Sequence, residues 1–253
     1  MDVVVTARLL DDAHHAGSCL DARSVDIADL RTAYAVQDAL TGLRTARGTG
    51  RIGWKLGYTS AVMRDQLGVE EPNHGPILAD MLLDDGAAVP PGVLQPRVEP
   101  EVALVLGRTP RPGSTVTEIL DHCSAARAAL EVVDSVWCDY LFDLEHNTAD
   151  GSSAAYVVLG PEIELSQVAD VAVELSVGDT VAGFGHGRDA AGHPAAALAW
   201  LVTELASRGT VLEPGDVVIT GGLTAAVPLA RGGSVRAWFR PSSGPPVTVS
   251  VSR

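Results

Sequence analysis

Thirty-two acidic against 18 basic side chains give this 253-residue chain a net charge of −14, which excludes nucleic acid and anionic membranes as partners, since both need a cationic face. Hydrophobic residues at 46% and charged residues at 20% place it among folded globular chains rather than disordered ones. No apolar run approaches the roughly 20 residues of a membrane helix.

Taken in chain order, residues 2–15 and 33–47 carry apolar side chains at helical spacing, the second closed by Gly48. The opening MDVVVTARLLDDAHHAG has early acids and no basic segment, so it does not read as a signal peptide, and a cytoplasmic location is expected. Ser60 is placed to cap a short helix, AVMRDQL, ended by Gly68. Residues 70–97, with PNHGP and VPPG as turn signals, read as loop-rich, and His74 within them is expected to be exposed. VEPEVALVLG (98–107) alternates as a strand does. Residues 115–130 read as a helix, opened by a capping box of Thr115 and Glu118. Segments 131–137, 154–160, 171–177, 216–222, 234–240 and 247–252 read as strands. A last helix spans roughly 194–208, with Pro194 in its first turn, Gly209 at its end and His193 in a capping or packing position before it. Strand runs broken by few helices predict an α+β fold, with a helical N-terminal region (1–72) ahead of a β-rich catalytic core (73–253).

Cys19, Cys123 and Cys138 are odd in number and lack CxxC spacing, so they read as buried or idle thiols in a reducing cytoplasm.

The sharpest chemical feature is Glu99-Pro100-Glu101. Residues two apart on a strand share a face, so both carboxylates point the same way, while Val98, Val102, Leu104 and Leu106 form a core face. Side-by-side carboxylates repel and call for a cation between them. Pro100 removes a ladder hydrogen bond and suggests an edge or a bulge. Solvated glutamates paired with Arg97 or Arg108 would be the simpler reading, but Glu131 heads another apolar strand and supplies a third acid. Three carboxylates suit Mg²⁺ or Mn²⁺, and the lack of paired His and Cys argues against zinc. Lys55, in RIGWKLGYTS, is the only lysine beside 17 arginines. A compact ammonium that can give up a proton when buried suits a site where arginine does not.

In order along the chain, GWKLGYTS, LGVEEPNHGPILADM, QPRVEPEVALVLG, ALEVVDS, TADGSSAAYVVLG, GHPAAALAWL and ITGGLTAAV resemble the 2-oxopent-4-enoate hydratase and 4-oxalocrotonate decarboxylase family of the fumarylacetoacetate hydrolase superfamily, from about residue 30 to the C-terminus. The resemblance implies a mixed β-roll or sandwich core with a helical N-terminal region, and a lyase acting on a small conjugated 2-oxo acid with Mg²⁺ or Mn²⁺. It places Glu99, Glu101 and Glu131 as metal ligands, Lys55 and Asp80 as catalytic groups, and Ser153 and Thr220 at the substrate. It implies a homo-oligomer, with association with a sister hydratase or decarboxylase as a further partner. Where the family reads ADNAS this chain has Ala149-Asp150-Gly151-Ser152-Ser153, and a turn usually PGD reads Arg231-Gly232-Gly233. The segments EVVDS, FDL and TGGLTAAV point to a decarboxylase of a 4-oxalocrotonate-like dicarboxylic acid. A 2-hydroxypenta-2,4-dienoate hydratase is the alternative, and a non-catalytic partner subunit the third reading.

Overall fold

β-branched and small residues dominate the second half of the chain and build two sheets. The computed structural model describes residues 2–253, apart from the side chains of Val62, Met63 and Leu67. The helices are α1 (Val3–Ala16), α2 (Leu30–Thr45), α3 (Ala61–Leu67), α4 (Val116–His122), α5 (Leu144–Ala149) and α6 (Pro194–Ser207). The strands are β1 (Arg51–Gly57), β2 (Asn73–Leu78), β3 (Leu82–Leu83), β4 (Arg97–Leu106), β5 (Cys123–Val133), β6 (Ala154–Ile163), β7 (Ala172–Val177), β8 (Thr180–His186), β9 (Val217–Ile219), β10 (Val227–Pro228), β11 (Ser234–Arg240) and β12 (Val247–Ser252).

One eight-stranded mixed sheet runs β2-β1-β9-β4-β5-β6-β3, with β10 added beside β4. A second, four-stranded sheet runs β12-β11-β7-β8. β12 meets β5 and β6, so the sheets stack there. The main core lies between them, from Val98, Val102, Leu104, Leu130 and Val132 on the large sheet to Val235, Phe239 and Val249 on the small one, closed by Leu198 and Leu201 of α6. α1 and α2 form a second apolar cluster with Trp137.

Several boundaries differ from the sequence reading. The helix expected over 115–130 stops at His122, and the alanine-rich remainder is strand β5, hydrogen-bonded between β4 and β6. Alanine favours helix by itself, but here burial on both faces of a central strand overrides propensity. The Thr115–Glu118 capping box is present. Residues 70–97 are not all loop, because β2 pairs with β1 through every residue from Asn73 to Leu78. The helical N-terminal region does not extend to residue 72, since β1 is an inner strand of the large sheet. His193 does cap α6, its Nδ1 accepting from Ala195 N at 3.0 Å. The expectation of idle thiols fails: Cys19 and Cys138 form a disulfide, with Cα atoms 5.0 Å apart, so the cysteines give no argument for a reducing compartment. Cys123 is unpaired, and burial pushes its thiol up to about 11. Among the described residues, no helix is long and apolar enough to cross a membrane.

Candidate active site

β4 and β5 set the centre of the site. Glu99 and Glu131 are direct cross-strand partners, and Glu101 follows one pleat along β4. A carboxylate oxygen from each of the three can be chosen so that all lie within 4.8 Å of one another. Glu101 and Glu131 are almost fully buried, at 0% and 1% exposure. Pro100 lies on a strand that is inner overall, at no bulge, but one side of it is locally an unpaired edge, as the proline suggests. β9 pairs with residues 103–105 of β4 and β10 with 97–98, which leaves a gap between them. Pro100 faces that gap, its carbonyl accepting from Leu223 N at 2.9 Å, so the missing N–H breaks no ladder.

The chain crossing this gap is Thr220-Gly221-Gly222. Gly221 N donates to Glu101 Oε2 at 2.7 Å. A Cβ on Gly222 would come within 2.6 Å of Glu99 Oε2, so a larger residue there would push the carboxylate aside. Thr220 itself is buried away from the cavity, its hydroxyl donating to Val102 O at 3.0 Å. It holds this crossing in place and does not face the substrate space.

Lys55 enters from β1, buried, with Nζ 3.1 Å from Glu131 Oε2 and donating to Ser152 O at 2.9 Å. Burial works against its ammonium, but the charges of Glu131, Glu101 and Glu99 outweigh it and raise its pKa above the ordinary value. All three acids move upward too. Burial pushes Glu99 to about 7, with Glu131's charge adding. Burial, then repulsion from Glu131 and Glu99, holds Glu101 well above the usual carboxylate range. Burial also raises Glu131, against the pull of Lys55. Glu101 Oε1 and Glu131 Oε1 meet no hydrogen-bond donor. Three ionised carboxylates and one ammonium leave two negative charges, which a divalent cation would neutralise; the donor set is all oxygen, as a hard cation requires.

The group opens onto a cavity of about 980 Å³, whose lining includes Lys55, Tyr58, Arg97, Glu99, Tyr140 and Ser153. Ser153 is at this wall, its Oγ accepting from Asn147 Nδ2 at 3.0 Å. Asn73 Nδ2 donates to Asn147 Oδ1 at 2.9 Å, and Asn73 Oδ1 accepts from Ser152 Oγ at 3.0 Å. Among the described residues, six non-glycine residues have positive φ, and four of them, Tyr58, Tyr140, Ser152 and Ser153, line the cavity. Such backbone is costly, and its concentration here marks a wall whose shape is held by its surroundings. Gly151, where the resembling family has asparagine, has φ +73, a left-handed conformation that both residue types accept, and open space beyond.

Asp80 is not brought to this cavity. It is exposed just past β2, accepts from Thr49 Oγ1 at 2.9 Å, and lines a separate cleft of about 430 Å³ with Asp11, His14 and Arg47. Asn73, Asn147, Ser152, Tyr58, Arg97 and Tyr140 escape the sequence reading. Left-handed backbone at tyrosine and serine carries no sequence signal, and Asn73 sits in what looks like a turn.

A profile described as the C-terminal domain of fumarylacetoacetate (FAA) hydrolase matches residues 77–245. The chain is 36% identical over 211 residues to 2-keto-4-pentenoate hydratase 1 of Dechloromonas aromatica (strain RCB), covering 81% of this chain and 80% of that one. It is 31% identical over 242 residues to a 4-oxalocrotonate decarboxylase of Pseudomonas sp, covering 93% of each. The structure of 4-oxalocrotonate decarboxylase from Pseudomonas putida G7, complexed with magnesium and adipate, superposes with a TM-score of 0.91 at 26% identity, covering 99% of this chain and 96% of that one. With that fold and those relatives, the chain belongs to the fumarylacetoacetate hydrolase superfamily, as an enzyme of the lyase group that contains these hydratases and decarboxylases.

Proposed function

We propose that this protein is a divalent-metal-dependent decarboxylase of a conjugated 2-oxo dicarboxylic acid of the 4-oxalocrotonate type. The observation that carries the reading is the buried cluster of Glu99, Glu101 and Glu131 with Lys55 at 3.1 Å from Glu131, beneath one cavity. The full-length similarity to the magnesium-bound decarboxylase supports the choice of reaction.

In this reading Glu99, Glu101 and Glu131 hold Mg²⁺ or Mn²⁺, which when bound acts as a Lewis acid toward the 2-oxo acid end of the substrate. Lys55 remains an ammonium, fixed by Ser152 O and Glu131, and presents a proton and a positive charge to the same end. As the distal C–C bond breaks, its electron pair flows into the conjugated system, CO₂ leaves, and one proton is returned to carbon. Lys55 Nζ is the donor in the cavity wall suited to that delivery. Ser153, oriented by Asn147, offers a hydroxyl to the substrate. The aromatic side chains Tyr58, Tyr140 and Phe142 displace water from the chain of the substrate. Asp80 has no part in this scheme, because it lies in the other cleft.

A hydratase is the second reading, favoured by the higher identity to 2-keto-4-pentenoate hydratases. The two separate in one experiment. Purified protein with Mg²⁺ is incubated with 2-oxohex-3-enedioate and, separately, with 2-hydroxypenta-2,4-dienoate, following the ultraviolet bands and released CO₂. Carbon dioxide from the first supports the decarboxylase, and consumption of the second alone supports the hydratase. Inertness toward both, together with no Mg²⁺ binding, would leave the non-catalytic subunit.

Self-association, alone or with a sister enzyme, belongs to the same proposal; Leu141 and Phe184, exposed at 72% and 71%, supply apolar surface for it. Sedimentation of the purified chain as a monomer would exclude the homo-oligomer.

A further inference from the structure

Arg97 is the cation of the cavity that the scheme above does not use. It precedes Glu99 by two residues on β4, so the two share a face, one strand repeat of roughly 7 Å apart. Lys55, the other lining cation, is committed to Glu131. The remaining charged lining residues, Glu70, Glu71, Glu99, Asp143, Glu145 and Asp189, are all acids. Arg97 forms no ion pair or side-chain hydrogen bond among the described residues. Its guanidinium instead lies 4.1 Å over the centre of the Tyr140 ring.

That platform is built with care. Asp139 and Tyr140 are consecutive non-glycine residues in left-handed backbone, at φ 57° and 59°. The Tyr140 hydroxyl lies 3.1 Å from the carbonyl oxygens of both Gln95 and Val133 and donates to one at a time. Gln95 in turn accepts from Asp139 N at 3.0 Å. The preceding Cys138 is anchored by its disulfide to Cys19. A guanidinium held over a ring by a cation–π contact, with no ion pair or side-chain hydrogen bond, keeps its N–H donors available to a planar carboxylate.

We infer that Arg97, held on Tyr140, binds the carboxylate at the far end of the substrate and thereby selects dicarboxylic over monocarboxylic 2-oxo acids. This inference rests on the reading that a 2-oxo acid binds with its keto end at the carboxylate–lysine centre. One cation at each end of the bound chain also answers how a protein of net charge −14 accepts a doubly anionic ligand in an acid-rimmed cavity.

The test uses the full-length, Mg²⁺-loaded protein and two saturated probes that cannot turn over. 2-Oxoadipate and 2-oxohexanoate have equal length and differ only in the distal carboxylate. By calorimetry, wild type is expected to bind 2-oxoadipate at least about 10-fold more tightly, the factor of a charge-assisted bidentate contact. Arg97→Gln should lower 2-oxoadipate affinity to that of 2-oxohexanoate and leave 2-oxohexanoate unchanged, which also shows that the variant is folded. Arg97→Lys should keep part of the preference. The inference is overturned if wild type shows no preference, if Arg97→Gln retains it, or if that variant weakens both probes equally, since Arg97 would then meet the end they share. Should neither probe bind the Mg²⁺-loaded wild type, the 2-oxo acid reading itself falls and takes this inference with it.

Discussion

Lys55 and Glu131 lie 3.1 Å apart in a site with more acid than base, and the ammonium holds the place a second cation would share. Two variants follow from that competition. Lys55→Met removes the proton donor, so turnover is expected to fall by about 10²- to 10⁴-fold. The same change removes a competing positive charge, so Mg²⁺ should bind at least as tightly as to wild type. Calorimetric titration with Mg²⁺ beside the ultraviolet assay reads both; a variant that loses the metal as well would show Lys55 to be structural. Glu101→Gln should differ from it at the metal. It removes a charged ligand from a buried trio while the amide can still meet Gly221, so metal binding and metal-dependent turnover are both expected to disappear. At this scale much of the site was legible. Glu99, Glu101, Glu131 and Lys55 show in the sequence because charges in apolar strands and a solitary lysine are chemically conspicuous. Thr220 and Asp80 stood near the right segments but face elsewhere, since side-chain direction depends on pleat and turn that spacing alone does not give.

Among the elements, β2 and β5 are where local pattern misled. Both carry helix-favouring or turn-forming residues that tertiary burial overrides: Ala125, Ala126, Ala128 and Ala129 in β5, central in the large sheet, and Asn73, Gly75 and Pro76 in β2, a fully buried strand at its edge. Strands near the site must be thin, because neighbouring strands and loops press on them, and small residues are ambiguous when read alone. His74 on β2 shows the cost of that misreading. Expected on an exposed loop, it is 2% exposed, stacked on Tyr34 at 4.5 Å and edge-on to Trp54 at 5.1 Å, with neither ring nitrogen hydrogen-bonded. Burial pushes its pKa down to about 3, with the charge of Arg208 adding. An unfolded histidine titrates near 6.5. Between those values the unfolded chain binds a proton that the folded one refuses. The stabilising contribution is therefore complete above about pH 6.5 and is lost as pH falls toward 3. At pH 5 the deficit is on the order of 2 kcal/mol. His74→Phe keeps the ring packing and removes the titration, so its loss of stability between pH 7 and pH 5 should be smaller than that of wild type by about 2 kcal/mol. Urea denaturation at both pH values measures this, and equal losses in the two proteins would refute it.

Two of the ties that join the helical N-terminal part of the molecule to the active-site wall run from the end of α1. One is polar: His14 Nε2 on α1 lies 2.6 Å from Asp150 Oδ1, and Asp150 Oδ2 accepts from Val136 N at 3.1 Å, just before the loop that holds Lys55 through Ser152. The other is covalent, between Cys19 after α1 and Cys138 beside the Tyr140 platform, 119 positions apart. Neither is visible in the sequence, because odd cysteines give no pairing and a helix histidine no partner until the fold brings them together. A crosslink closing so long a loop limits the unfolded chain, and the loop-entropy relation sets its stabilisation at up to about 5 kcal/mol. For a chain of this size each kcal/mol moves the midpoint by roughly 2–4 °C. Treatment of the folded protein with a thiol reductant, or the double change Cys19→Ser and Cys138→Ser, should therefore lower Tm by several degrees or more. Because Cys138 anchors the turn that carries Tyr140, the same treatment should also weaken 2-oxoadipate binding while leaving Mg²⁺ affinity intact, the glutamates being held by β4 and β5 instead. Differential scanning with and without reductant, followed by the two titrations, separates the cases. An unchanged Tm would mean that the bond adds nothing to the fold. A lowered Tm with unchanged 2-oxoadipate binding would mean that it stabilises the N-terminal helices and leaves the platform alone.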